Sequence, residues 1–244
     1  MEDNMQVSVN GAANLPQSTK MNFFKRIAGV FFWPGKVMDN LAERPRIVFP
    51  FIFLPIVQLV AVLAMIPMYK EFTRNSTAEL LAKQNLEMTT EQLNKAVNLA
   101  MFWGPVGIAI GVVIAWVLGA LILLGIIKIF KGQGGFKQVL SITGYSAVIT
   151  TLSTVVHVIK TNITGVYDLF SYTSIAVLMP NMNGNFFYGM AKFLDVFSIW
   201  QYAVIAIGVA AVSKLPKKKA YLIVAGIFVV QLLYAGITEG RIAG

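Results

Sequence analysis

Five stretches of this sequence are long and apolar enough to cross a lipid bilayer. A helix of about 20 residues, rising about 1.5 Å per residue, covers the hydrocarbon core of about 30 Å. Each stretch is apolar on all sides, as expected for helices that contact both lipid and protein. The sequence therefore predicts an all-α polytopic membrane protein, with five transmembrane helices at residues 47–68, 101–130, 138–159, 193–212 and 220–238.

The composition supports a membrane protein and narrows its chemistry. Only 13% of the 244 residues are charged and 57% are hydrophobic, whereas about 25% of the residues in a soluble domain are charged. The chain contains no cysteine, which excludes disulfides, thiolate metal sites and cysteine catalysis. Residues 1–20 are polar and lack the apolar core of a signal peptide. They predict a short disordered cytoplasmic tail before a single membrane domain, residues 21–244.

The basic residues concentrate in alternate connecting segments. Thirteen of the 20 lysines and arginines precede the first span or lie between spans two and three or spans four and five. With four acidic residues, these segments carry the whole formal charge of +9, and the other side sums to zero. The positive-inside rule predicts that the basic side is cytoplasmic. We expect a protein of the cytoplasmic (inner) membrane with its amino terminus inside and its carboxy terminus outside.

The segment before the first span predicts two helices in the membrane interface. Pro34 suits the first turn of the second helix, and Pro45 ends it. Basic residues beside aromatic ones favour contact with anionic lipid on the cytoplasmic face, and we expect no nucleic-acid partner. The apolar positions at helical spacing are Phe24, Ile27, Phe31, Val37, Met38 and Leu41.

Two connecting segments lie on the opposite side. Residues 75–102 predict an outer helical hairpin whose second arm continues into span two, with a capping box at Thr89 and Gln92. Residues 160–192 form a second outer loop. Its apolar piece "SIAVLMP" is too short to span the bilayer and predicts an interfacial or re-entrant segment.

Span two carries small residues at intervals of four, a pattern that lets another helix approach closely. This small-residue ridge has two interpretations: a packing contact with another helix of the same chain, or a seam between two chains in a homo-oligomer. Its members are Gly107, Gly111, Ala115 and Gly119.

Three stretches resemble the Yip (Ypt-interacting protein) family of five-span membrane proteins, in its prokaryotic branch. They are "PGKVMDNLAERPRIVFPFIF", "GQGGFKQVLSITGYS" and "LDVFSIWQYAVIAIGVAAVSKLPKKKA". The third is the most specific, with an acidic residue, then Phe-Ser-x-Trp, then a glycine-containing span closed by lysines. The resemblance implies a bundle of five helices with a cytoplasmic amino terminus.

The resemblance also bears on function. Eukaryotic members of the family act in traffic from the endoplasmic reticulum to the Golgi, and they associate with Rab GTPases and with each other. The tail of this chain is too short to offer much of a GTPase-docking segment. We therefore do not carry the trafficking role over, whereas a tendency to self-associate is compatible with the chain.

Polar residues inside the spans are the candidates for a functional site. Asp195, Ser198 and Tyr202 share one face of span four and form a candidate polar seam with span three. Asp195 is the leading candidate because a carboxylate in a membrane is costly. Hydrogen bonds between helices and a path for a solute or ion both explain such a face. The expected partners are Ser141, Thr143, Tyr145, Thr150 and Thr151.

His157 is the only histidine of the chain. One histidine without cysteine does not make a zinc site unless carboxylates converge on it. We therefore interpret His157 as a structural residue at the outer interface and predict no metal site, while His157 also counts among the candidate residues of the polar seam. Single amides inside spans are expected to bond between helices: Gln58, Gln201 and Gln231.

Two classes of function remain. The chain lacks the sequence motifs of hydrolases, zinc proteases and phosphate-binding loops, so we predict a non-enzyme without a cofactor. The first class organises the membrane or partner proteins through interfacial helices and self-association. The second is a transporter, channel or lipid-handling protein that uses the polar residues around Asp195. Five spans without an internal repeat count against a monomeric transporter.

Overall fold

The computed structural model describes residues 21–168, 171–179 and 184–242, and the predicted disordered tail lies outside these ranges. The described residues form helices, with no β-strand and one isolated antiparallel bridge between Ser174 and Asp195. The helices are α1 (Phe23–Phe32), α2 (Pro34–Glu43), α3 (Val48–Ala64), α4 (Ile66–Lys83), α5 (Thr90–Ile129), α6 (Phe136–Ser146), α7 (Thr150–Thr164), a 3₁₀ helix (Ile175–Leu178), α8 (Phe186–Phe193), α9 (Val196–Ser213) and α10 (Lys217–Ile242).

The all-α polytopic prediction is confirmed. Four segments are long and apolar enough to cross a membrane: α5, α6 with α7, α9 and α10. The bent pair α3 and α4 supplies a fifth span if the two helices are counted together. Within the described ranges, every predicted span therefore has a helical counterpart.

The span predicted over 47–68 is not one continuous helix. Helix α3 ends at Ala64, and the chain bends by 79° before continuing as α4. Pro67 lies in the first turn of α4. Proline lacks the N–H donor and is best tolerated in the first turn of a helix, so Pro67 favours the start of a new helix here. The residues after Met65 therefore belong to the outer hairpin.

The outer helical hairpin is present. Its arms are α4 and the beginning of α5, and the predicted capping box is formed by Thr89 and Gln92 through bonds of 2.9 and 3.2 Å. Helix α5 continues unbroken for 40 residues. At about 1.5 Å per residue it is roughly twice as long as the hydrocarbon core is thick. The first turns of α5 therefore extend beyond the membrane.

Span three consists of two helices rather than one. Helices α6 and α7 are separated by a turn at residues 147–149. The hydroxyl groups of Thr150 and Thr151 donate to the carbonyl oxygens of Ala147 and Val148 at 2.8 and 2.6 Å. These bonds satisfy carbonyl groups that a continuous helix would have bonded along its own backbone.

The second of the two predicted interfacial helices is part of the core. In α2, Val37, Met38 and Leu41 are completely buried and pack in the main hydrophobic cluster with residues of α6 and α9. The apolar stripe of α2 therefore faces the bundle and not lipid, and the interfacial position of this helix stays a prediction. In α1, by contrast, Phe24 and Phe32 keep 77% and 72% of their surface exposed.

The segments that carry most of the positive charge meet at one end of the bundle, here called the basic end. The backbone N–H of Gln133, between α5 and α6, donates to the carbonyl of Ser213 at the end of α9, at 2.7 Å. The backbone N–H of Arg46, before α3, donates to the hydroxyl of Ser141 in α6 at 2.9 Å. The charge pattern of the sequence thus corresponds to one end of the folded chain.

Gly144 in α6 lies at a close approach of three helices. A methyl group at this position would lie 2.5 Å from Trp116 Cζ2 in α5 and 2.6 Å from Pro50 Cβ in α3. Real side chains do not tolerate such distances, so the three helices require a glycine here.

We expect Gly144→Val to lower the free energy of unfolding by about 1–3 kcal/mol or more, because it overpacks this contact. Thermal unfolding of the detergent-solubilised protein measures the effect. Gly226→Val in α10 is the matched control, because Gly226 is exposed and no atom of the described residues lies within 4 Å of a methyl group there. Equal unfolding temperatures for the two variants would contradict the packing at Gly144.

Candidate functional site

Asp195 forms the N-cap of α9 at the end of the bundle opposite the basic end. Its side chain is buried, with 3% of the residue surface exposed. Oδ1 accepts hydrogen bonds from the backbone N–H groups of Phe197 at 2.8 Å and Ser198 at 3.1 Å. These two donors would otherwise have no partner in the first turn of the helix. One oxygen of the carboxylate is therefore used to begin span four.

The other carboxylate oxygen joins three segments of the chain. Oδ2 of Asp195 accepts from Ser153 Oγ in α7 at 3.2 Å and from the hydroxyl of Thr173 in the outer loop. Ser171 Oγ lies 2.6 Å from Ser153 Oγ and 2.7 Å from Thr173 Oγ1. We call Asp195, Ser153, Ser171 and Thr173 the hydroxyl cluster. It ties α7, the outer loop and the start of α9 together.

Backbone contacts reinforce the hydroxyl cluster. The N–H of Ile175 donates to Leu194 O at 3.1 Å, and the N–H of Val196 donates to Thr173 O at 3.3 Å. These bonds place the outer loop antiparallel to the residues just before α9. The loop therefore covers Asp195 and separates it from bulk solvent.

The predicted polar seam does not form as one continuous face. Asp195 does contact span three, but at Ser153 rather than at the expected residues. The reason is position, because α6 lies toward the basic end whereas Asp195 lies at the opposite end. The expected hydroxyl groups bond elsewhere: Ser141 to Arg46, Thr143 to Val139 and Trp116, Thr150 to Ala147 and Thr151 to Val148.

The other two residues of the predicted face also separate. The Tyr202 hydroxyl donates to Gln231 Oε1 and links α9 with α10, so the expectation of an interhelical amide is met at Gln231. The side chain of Ser198 makes no hydrogen bond within the described ranges; only its backbone N–H is used, by Asp195. The face is therefore divided between a helix cap and a contact between helices.

A pocket of about 270 Å³ lies beside the hydroxyl cluster, between α3, α5, α7 and the outer loop. We call it the outer pocket. Its wall contains two members of the hydroxyl cluster and several further polar groups. The polar side chains that line it are Gln58, Ser153, Thr154, His157, Asp168 and Ser171.

His157 lies in this wall within an aromatic group. Its ring is edge-on to Tyr167 at 5.4 Å and stacked on Tyr172 at 5.8 Å. The Tyr172 hydroxyl donates to Asp168. Burial, together with the bond to Asp168 and its charge, raises the pKa of Tyr172 to about 12, so this hydroxyl keeps its proton. No set of three or more metal-binding side chains comes together in the described parts of the chain.

The small-residue ridge of α5 does not contact another helix of the chain. All four of its residues are exposed, and within the described ranges no atom lies within 4 Å of a methyl group at Gly107, Gly111 or Gly119. Among the described residues, the ridge therefore has no packing partner within the chain, and the seam between two chains stays a prediction. Helix α5 packs through a different face, which carries the buried residues Trp116, Ala120, Leu123 and Ile127.

Helix α8 packs along α10 and is not among the helices predicted from the sequence. Gly189 contacts the backbone of Ala235, and Lys192 Nζ forms an ion pair with Glu239 at 2.9 Å. The signals were present but short: Asn185 caps the helix by accepting from the N–H of Phe187 at 2.8 Å. This helix lies directly before Asp195 and so helps to position the start of α9.

The fold and these sites define a polytopic, all-helical membrane protein. A family model, the Yip1 domain, matches residues 28–238. The chain belongs to the Yip1 domain family.

The comparison with curated proteins agrees with this assignment. The chain is similar to "Membrane protein YknW" of Bacillus subtilis (strain 168), with 25% identity over 241 residues. The match covers 97% of each chain. No solved structure matches the chain.

The hydrogen bonds of the hydroxyl cluster predict that substitutions of Asp195 lower the stability of the protein. Asp195→Asn keeps an acceptor for the amides of α9 but removes the charge that favours a helix start, so we expect a loss of about 1 kcal/mol in stability. Asp195→Leu leaves up to four donors without their acceptor, and we expect a larger loss of about 2–4 kcal/mol. Chemical or thermal unfolding in detergent measures both.

Ser198→Ala is the control for this pair, because its hydroxyl makes no bond within the described ranges. It should change stability by less than about 0.5 kcal/mol. If Asp195→Leu unfolds at the same temperature as the wild-type protein, Asp195 does not hold the three segments together.

Proposed function

We propose that the protein is a non-enzymatic component of the cytoplasmic membrane that organises the bilayer or partner proteins. It does so through the interfacial helix α1 and through self-association. Its amino terminus and basic end face the cytoplasm, and its carboxy terminus faces outward.

The observation that carries the proposal is the exposed aromatic edge of α1. Gly29 and Val30 are buried against the bundle, which fixes the helix to the rest of the protein. Phe24, Phe32 and Trp33 nevertheless expose 77%, 72% and 53% of their surface. Large aromatic side chains beside basic residues favour the boundary between headgroups and acyl chains. A helix fixed to the bundle and inserted there transmits force between the protein and one leaflet.

The exposed ridge of α5 supports the second part of the proposal. A stripe of small residues that no other helix of the chain covers allows a second copy to approach backbone to backbone. Lipid chains pack against such a stripe of small residues less well than a complementary helix does. Self-association would place several α1 helices in the same leaflet and multiply their effect on it.

Gly111→Leu tests self-association. We expect it to leave the monomer folded, because nothing in the described chain occupies that space, and to reduce the oligomer fraction at least several-fold. Energy transfer between two labelled copies in lipid vesicles measures the association. Gly226→Leu is the matched control, since Gly226 is an exposed glycine on α10 that is equally open. Equal association of both variants and wild type would contradict the proposed interface.

A test of the membrane part is the double variant Phe24→Ser, Phe32→Ser. It removes the aromatic edge from exposed positions and should preserve the unfolding temperature. We expect the variant to lose the ability of the reconstituted wild-type protein to change vesicle size or curvature, measured by electron microscopy. If wild type and variant reshape vesicles equally, or neither does, α1 does not act on the bilayer.

A second candidate function, handling of a solute or lipid, has one observation in its favour. The outer pocket is lined by polar groups next to Asp195. Toward the basic end, however, the spans close on a buried apolar cluster that includes Tyr145, Ile149 and Val204. A carboxylate engaged with four donors is also fully occupied within the protein. A stable Asp195→Asn variant that loses a measured flux would favour this second function over the first.

A further inference from the structure

A second pocket, of about 430 Å³, lies at the basic end between α1, the start of α3 and the start of α6. We call it the basic pocket. Three cationic side chains from three different segments line it: Arg26 from α1, Arg46 from the turn before α3 and Lys137 from α6. Because these residues are distant in sequence, the folded bundle alone brings them together.

No ion pair of the described residues neutralises the positive charge of the basic pocket. In the described ranges the ion pairs involve Lys83, Lys95 and Lys192, none of which lines this pocket. Arg26 is held in place, because its Nε donates to Asn40 Oδ1 at 3.0 Å and its Nη2 to Met21 O at 2.6 Å. A fixed guanidinium loses little conformational freedom when it binds an anion.

The backbone adds further donors. Ile47, Val48 and Phe49 also line the basic pocket, and they form the start of α3, where no side chain caps the helix. The N–H groups in the first turn of a helix have no acceptor within that helix, and they favour an anion. The uncapped helix start and the three cations border the same cavity.

One wall of the basic pocket is apolar and continues toward the lipid. The ring of Phe49 lies 4.7 Å from that of Phe23, 4.9 Å from that of Phe53 and 5.4 Å from that of Tyr145. Farther along α3, Ile52 is 52% exposed. The basic pocket thus has cationic side chains on one side and an apolar wall on another. This arrangement suits a ligand that is anionic at one end and apolar at the other.

We propose that the basic pocket binds the phosphate of an anionic phospholipid headgroup. Arg26, Arg46 and Lys137 hold the phosphate oxygens, and the acyl chains leave along the apolar surface of α3. The proposal rests on the proposed function only in placing this end at the membrane interface. It names the lipid contact that would anchor the basic end.

The test uses the full chain in a mild non-ionic detergent, with short-chain phosphatidylglycerol as the probe and native mass spectrometry as the readout. Short-chain phosphatidylcholine tests the requirement for net negative charge, and glycerol 3-phosphate tests whether the headgroup suffices. We expect Arg46→Gln and Lys137→Gln each to weaken phosphatidylglycerol binding about fivefold, and about 25-fold together. Lys36→Gln, an exposed lysine of α2 outside the pocket, is the control and should have no effect.

The outcomes separate the proposals. Equal binding of the two phospholipids would overturn the preference for an anionic lipid, because both carry a phosphate and only their net charge differs. Binding that the double variant leaves unchanged at an unaltered unfolding temperature would overturn the basic pocket as a phosphate site. Glycerol 3-phosphate binding as tightly as phosphatidylglycerol would overturn the lipid as its source. Because the measurement is made on single copies in detergent, it is independent of the vesicle and association experiments that test the proposed function.

Discussion

A bilayer offers no hydrogen-bond partners to the backbone, so every interruption of a helix inside or near it must be closed by the protein itself. The turn between α6 and α7 is closed by short-range backbone bonds and by the hydroxyl groups of Thr150 and Thr151. The start of α9 is capped by Asp195, which also accepts hydrogen bonds from the hydroxyl groups of Ser153 and Thr173. Burying the carboxylate costs desolvation energy, and the hydrogen bonds from several donors to this one side chain offset that cost. The outer end of the bundle depends on this arrangement.

The two ends of the bundle are stabilised by different kinds of side-chain contacts. The outer end relies on hydroxyl groups, an aromatic group around His157 and a polar pocket. The basic end relies on the apolar packing of α2, and it leaves Arg26, Arg46 and Lys137 around an open pocket. An end with unneutralised cations and exposed aromatic residues is suited to anionic lipid. The proposed role in organising the membrane therefore belongs to this end.

The sequence predicted the number and approximate place of the spans, because apolar length is a local property. It also located the capping box at Thr89 and Gln92, where donor and acceptor are three residues apart. It did not predict the partners of Asp195, because Ser153 and Thr173 are distant along the chain and meet only through the fold. Pro67 was a local signal for the bend before α4. The bend was not predicted because the apolar residues continue to Met68. The ridge of α5 shows a further limit, since spacing identifies a face but not what covers it.

The central claim is that the basic end of the bundle faces the cytoplasm, and cysteine accessibility tests it most directly because the chain has no cysteine of its own. Two exposed positions at opposite ends are suitable: Gln84→Cys in the outer hairpin and Lys218→Cys at the start of α10. A maleimide that does not cross membranes is added to intact spheroplasts. The account predicts labelling of Gln84→Cys at once and of Lys218→Cys only after the membrane is permeabilised. Labelling of Lys218→Cys in intact spheroplasts, with Gln84→Cys protected, would contradict it.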